Sequence, residues 1–67
     1  MYSAHRNMVV FNGETRAVCA DAQKAAELLN KAIHLNDIKR KYTEAARTIY
    51  KAESLPGFRW LDREYTA

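Results

Sequence analysis

A chain of 67 residues has room for one domain. With 48% hydrophobic and 28% charged residues, two glycines and one proline, its composition is that of a globular domain and excludes disorder as the ground state. The net charge of +3, from 11 Lys and Arg against 8 acids, is mild for a nucleic-acid binder, and a single cysteine excludes an internal disulfide.

Ordering so short a chain costs roughly 100 kcal/mol of conformational entropy, which apolar burial in a small body barely exceeds. Small domains therefore carry a staple. His5, Cys19 and His34 lack the spacing of a structural zinc site, so no metal is expected. The remaining staple is association, which predicts a homo-oligomer or a docked protein partner. No apolar run approaches the ~18 residues of a membrane span, so no membrane partner is expected. Residues Met1 to Asn7 lack the apolar core of a signal peptide, and with the unpaired Cys19 this points to a cytoplasmic setting.

Met8-Val9-Val10-Phe11 leads straight into Asn12-Gly13, a pair that favours positive φ at both positions and closes a two-residue hairpin. The hairpin is predicted over about 7–19. Regular pairing sets Phe11 against Glu14, Val10 against Thr15, Val9 against Arg16 and Met8 against Ala17. Opposed residues share a face. Met8, Val10, Ala17 and Cys19 then form the apolar side, and Val9 and Phe11 join Glu14 and Arg16 on a candidate contact side. His5 is read as part of a loose N-terminus.

Asp21 offers an N-cap ahead of an Ala- and Leu-rich segment, predicting a helix over about 21–35. Ala22, Ala25, Ala26, Leu29, Ala32 and Ile33 make its apolar stripe, widened by Leu28 and Leu35. Asn36 or Asp37 caps a second helix over about 37–54. The alternative is one helix from Asp21 to Ser54, since Leu28, Leu35, Tyr42 and Ile49 recur every seven residues, as in a coiled coil. The mediocre helix propensity of Asn and Asp favours the break. In the second helix Ile38, Tyr42, Ala45, Ile49 and Ala52 line one face, the candidate self-association stripe. Arg40, Arg47 and Lys51 lie about 180–220° from Ile38.

Pro56-Gly57 ends the helical pattern. In the tail over about 55–67, Phe58, Arg59, Trp60 and Arg63 are residue types enriched at protein-binding hot spots. The bland alternative is a tail that caps a small core, with a third strand as one way to do so.

No glycine-rich phosphate loop and no nucleophile motif occurs, so no enzyme and no cofactor are expected. Cys19 reads as a small buried hydrophobe, and His34 as a surface imidazole. Together these residues predict an α+β fold, a β-hairpin followed by a helical hairpin and an aromatic tail. The expected function is non-catalytic binding and modulation of a larger protein. The composition suits the small accessory proteins of bacteria or their viruses. The alternative is a nucleic-acid or nucleotide site built from Lys39, Arg40, Lys41, Arg47, Tyr50 and Lys51, with cations for phosphates and a tyrosine to stack on a base.

Overall fold

Three hairpin-linked strands, two helices and a short returning strand make up the chain in the computed structural model, which describes residues 1–61. These are β1 (Tyr2–His5), β2 (Met8–Phe11), β3 (Glu14–Val18), α1 (Ala22–Asp37), α2 (Tyr42–Glu53) and β4 (Arg59–Trp60). The strands form one antiparallel sheet in the order β1-β2-β3-β4. Helix α1 packs across β1 and β2, and α2 packs along α1. The fold is α+β, with the N-terminal hairpin and the helical hairpin that the sequence implies.

Asn12 (φ 51°) and Gly13 (φ 82°) both adopt the left-handed region, as the predicted turn demands. The register of β2 and β3 differs from the regular one in a decisive way. Phe11 faces Glu14 and Val10 faces Thr15, but Val9 faces Ala17 and Met8 faces Val18. Arg16 is thus the extra residue of a β-bulge. The bulge turns every residue beyond it to the opposite face. Val9, Ala17 and Cys19 therefore point inward and are completely buried, whereas Met8, Val10, Thr15 and Val18 share the outer face. Val9 is core rather than contact surface, and the apolar side drawn from unbulged pairing does not form.

The N-terminus is a strand and not a loose end. Tyr2 and Ala4 stand opposite Phe11 and Val9, and Asn30 of α1 clamps the strand at its start. The Tyr2 N–H donates to Asn30 Oδ1 at 2.7 Å, and Asn30 Nδ2 donates to the Tyr2 carbonyl at 2.8 Å. A carboxamide carries one donor and one acceptor at the spacing of a peptide group, so Asn30 serves the sheet edge as a neighbouring strand would.

Asp21 caps α1 as expected, accepting from the Lys24 N–H at 3.1 Å. The helices are separate, but the break falls later than Asn36-Asp37. Those residues complete α1, and a turn at residues 38–41 follows. There Arg40 adopts φ 56° and the Lys41 N–H reaches back to the Leu35 carbonyl at 2.8 Å. A left-handed residue closes the helix by satisfying its last carbonyls, the role usually given to glycine. Neither Asn36 nor Asp37 caps α2, and Ile38 lies outside both helices.

After Pro56 and Gly57 the chain returns as β4, with Trp60 opposite Ala17 and Arg59 opposite Val18. Phe58 and Trp60 pack edge to face at 5.1 Å, and Trp60 Nε1 donates to Glu53 Oε2 at 2.6 Å. Both rings are half-buried against the core, so this part of the tail caps it. Arg63 and the rest of the tail lie outside the described residues.

The interior is built mainly from small side chains. Among the described residues the buried apolar set is Val9, Cys19 and Leu29 with Ala17, Ala22, Ala25, Ala26, Ala32, Ala45 and Ala52. Alanine lets α1, α2 and the sheet approach closely. Each buried methyl, however, stabilises far less than the ~1.5–3 kcal/mol of a buried Leu, Ile or Phe. The larger apolar side chains sit at the periphery, half-buried or exposed.

Candidate interaction surface

Four large apolar residues gather where α1 ends and α2 begins. Met1 is 84% exposed, Ile38 68%, Tyr42 58% and Ile33 37%. Their positions follow from local structure. Ile33 lies at the margin of the buried α1 stripe. Ile38 projects from the turn, and Tyr42 opens α2.

Two grooves run beside these residues. One, of about 360 Å³, is lined by Tyr2, Leu29, Ile33, Tyr42, Ile49 and Trp60 among others. The second, of about 320 Å³, is walled by Met1, Phe11, Asn30, Ile33, His34 and Ile38. Ile33 and Asp37 belong to both, so the two grooves adjoin across these residues. Their floor is firm. Tyr2 and Phe11 pack at 4.6 Å between ring centres, and the Arg16 guanidinium covers Phe11 at 5.9 Å.

The predicted self-association stripe divides here. Ala45 is buried, Ile49 is half-buried in the first groove with the exposed Tyr42, and the exposed Ile38 walls the second groove. They are not one helical face, because the left-handed Arg40 stands between Ile38 and the helix. They nevertheless border the same pair of grooves. Of the predicted partner contacts, Phe11 and Trp60 line the grooves, Phe58 packs on the core, and Arg59 is exposed in β4.

The basic ridge also divides. Lys39, Arg40 and Lys41 are exposed in the turn, so Arg40 does not share a helical face with Arg47 and Lys51. Lys41 Nζ lies 3.5 Å from Glu44 Oε2. Arg47, Tyr50 and Lys51 are exposed on α2, about 140°, 80° and 180° around it from Tyr42, so Arg47 and Lys51 face away from the grooves and Tyr50 lies on the flank between.

Sequence reasoning missed Met1, Tyr2 and Asn30, and took Ile33 only as part of the apolar stripe of α1, whereas it is 37% exposed. The alternation of Tyr2 and Ala4 with Ser3 and His5 was the available signal for β1. Among the described residues no three His, Cys, Asp or Glu side chains gather as a metal site requires. Cys19 is buried, its Sγ 3.7 Å from the Pro56 carbonyl oxygen. No helix among the described residues is long and apolar enough to cross a membrane. In comparisons with known proteins, no family model, curated protein or solved structure matches the chain.

Proposed function

We propose that the chain is a non-catalytic protein-interaction module whose working surface is the double groove around Ile33. The observation that carries this proposal is the gathering of Met1, Ile33, Ile38 and Tyr42, exposed, around two adjoining and mainly apolar grooves. Contiguous apolar surface of this kind marks protein contacts, because leaving it in water is unfavourable. Groove walls of hydrocarbon and aromatic rings hold apolar side chains of a partner. The turn cations Lys39, Arg40 and Lys41 beside them favour acidic residues at the partner's rim. Such a surface supports binding to another protein chain.

A photoreactive residue placed at Ile38, with a control at Lys51, tests this proposal in a cell extract. The expected result is a protein adduct at Ile38 that is lost when Tyr42 is changed to Glu and is absent at Lys51. Adducts no stronger at Ile38 than at Lys51 would overturn it.

The exposed Arg47 and Lys51 on the far side of α2, with Tyr50 on its flank, support a second reading, a polyanion site. Nucleic acid held there by two cations would bind with a log–log salt slope of about −2. Its loss in the Arg47→Glu, Lys51→Glu double variant would establish that site.

A further inference from the structure

We infer that the occupant of the double groove is a second copy of this chain, seated in a two-fold symmetric contact. The inference rests on the interaction-module reading and names its partner. Two features of the surface carry it.

The first is what the isolated chain leaves unburied. Among the described residues the buried interior is mostly alanine, with Val9, Cys19 and Leu29 the larger members, while Ile33, Ile38 and Tyr42 stay exposed and Tyr2, Ile49 and Trp60 half-exposed around the grooves. A domain of this size with so small a core gains most from a contact that exists whenever the chain itself is present. Two copies pressed together here would bury these side chains against their equivalents and complete a core that neither has alone.

The second feature is charge. A two-fold contact brings the same patch against itself, so the patch must carry both signs. Asp37 stands on the wall common to both grooves, and Lys39 and Arg40 follow it directly in the turn. Across a two-fold axis through this region, Asp37 of one copy meets the turn cations of the other, twice. The position of Asp37 agrees with such a use. It is the last residue of α1, where the helix dipole disfavours a carboxylate, so helix stability does not account for it. Ile38 lies between the two charges and supplies the apolar centre.

The test is charge exchange between copies, read by sedimentation equilibrium at micromolar concentration. All three residues are exposed, so Asp37→Lys and the Lys39→Asp, Arg40→Asp double variant should each keep the fold, checked by circular dichroism. The parent should be a dimer, and each variant alone should dissociate at least about tenfold more readily, because like charges then face each other. Mixed in equal amounts, the two variants should recover the dimer, since opposite charges meet again at both pairs. Only contacts between copies give that recovery. A dimer untouched by either variant, or two weakened variants that do not recover on mixing, would overturn the inference. A monomeric parent would overturn it as well. In that case a protein adduct at Ile38 keeps the interaction-module reading standing, and the lack of an adduct removes both.

Discussion

Replacing Asn30 by Ala should destabilise the fold by about 1–2 kcal/mol, against the sign that helix propensity alone predicts. Asn30 lies in α1, where alanine is the better helix former by about 0.6 kcal/mol. The Asn30 carboxamide, however, makes two hydrogen bonds to the Tyr2 backbone, at 2.7 and 2.8 Å. Each is worth about 1 kcal/mol net, and more where the orphaned group stays shielded from water. Two such bonds outweigh the propensity gain. Truncation also uncovers the Tyr2 N–H and C=O at a sheet edge, which invites pairing with other chains. Urea unfolding followed by Trp60 fluorescence at fixed protein concentration measures the first effect, and light scattering measures the second. Asn30→Asp keeps an acceptor for the Tyr2 N–H but sets a carboxylate against the Tyr2 carbonyl, and should also be less stable than the parent. An Asn30→Ala variant as stable as the parent, or more so, would refute the edge clamp.

Gly13→Val forces a β-branched residue to φ 82°, and because an added Cβ there meets nothing within 4 Å, its cost is backbone strain alone, more than about 1 kcal/mol by urea unfolding. Arg6→Gly should act in the opposite direction. Relieving a left-handed arginine at φ 58° recovers about 1–2 kcal/mol, less about 0.5–1 for glycine's added chain entropy, a small net gain in the same measurement. Trp60→Phe removes the 2.6 Å bond to Glu53 Oε2 while keeping an aromatic ring beside Phe58, and should cost about 1–3 kcal/mol. Arg47→Glu with Lys51→Glu, on the far side of α2 from the grooves, should leave stability within about 0.5 kcal/mol.

Features that depend on neighbours in sequence were legible before any coordinates. Asn12-Gly13 fixes its turn through two positive φ angles, Asp21 caps α1 from three residues away, and Pro56-Gly57 stops α2. What escaped depends on distant partners or on backbone strain. Strand β1 has no β-branched residue and is held by β2 and by Asn30, 28 residues away. The bulge at Arg16 leaves no local mark, yet it reverses the face of Ala17 and so decides that Val9 is core. Arg40 ends α1 in a conformation usually reserved for glycine, which moved the start of α2 from residue 37 to Tyr42. The stripe from Ile38 to Ile49 was legible as apolar. Its division between turn and helix, and its joining to Met1 and Ile33 from elsewhere in the chain, were not.

The dependence of the thermal midpoint on protein concentration tests most directly whether this alanine-filled domain relies on a second copy. A dimer whose folding is coupled to association gains about 2.7 kcal/mol of apparent stability for each hundredfold rise in concentration. For two chains of 67 residues that moves the midpoint up by about 10 °C. A rise of this size, abolished by Ile38→Asp, is the predicted result. A midpoint that stays constant across the same range, in a chain that sediments as a stable monomer, would contradict it.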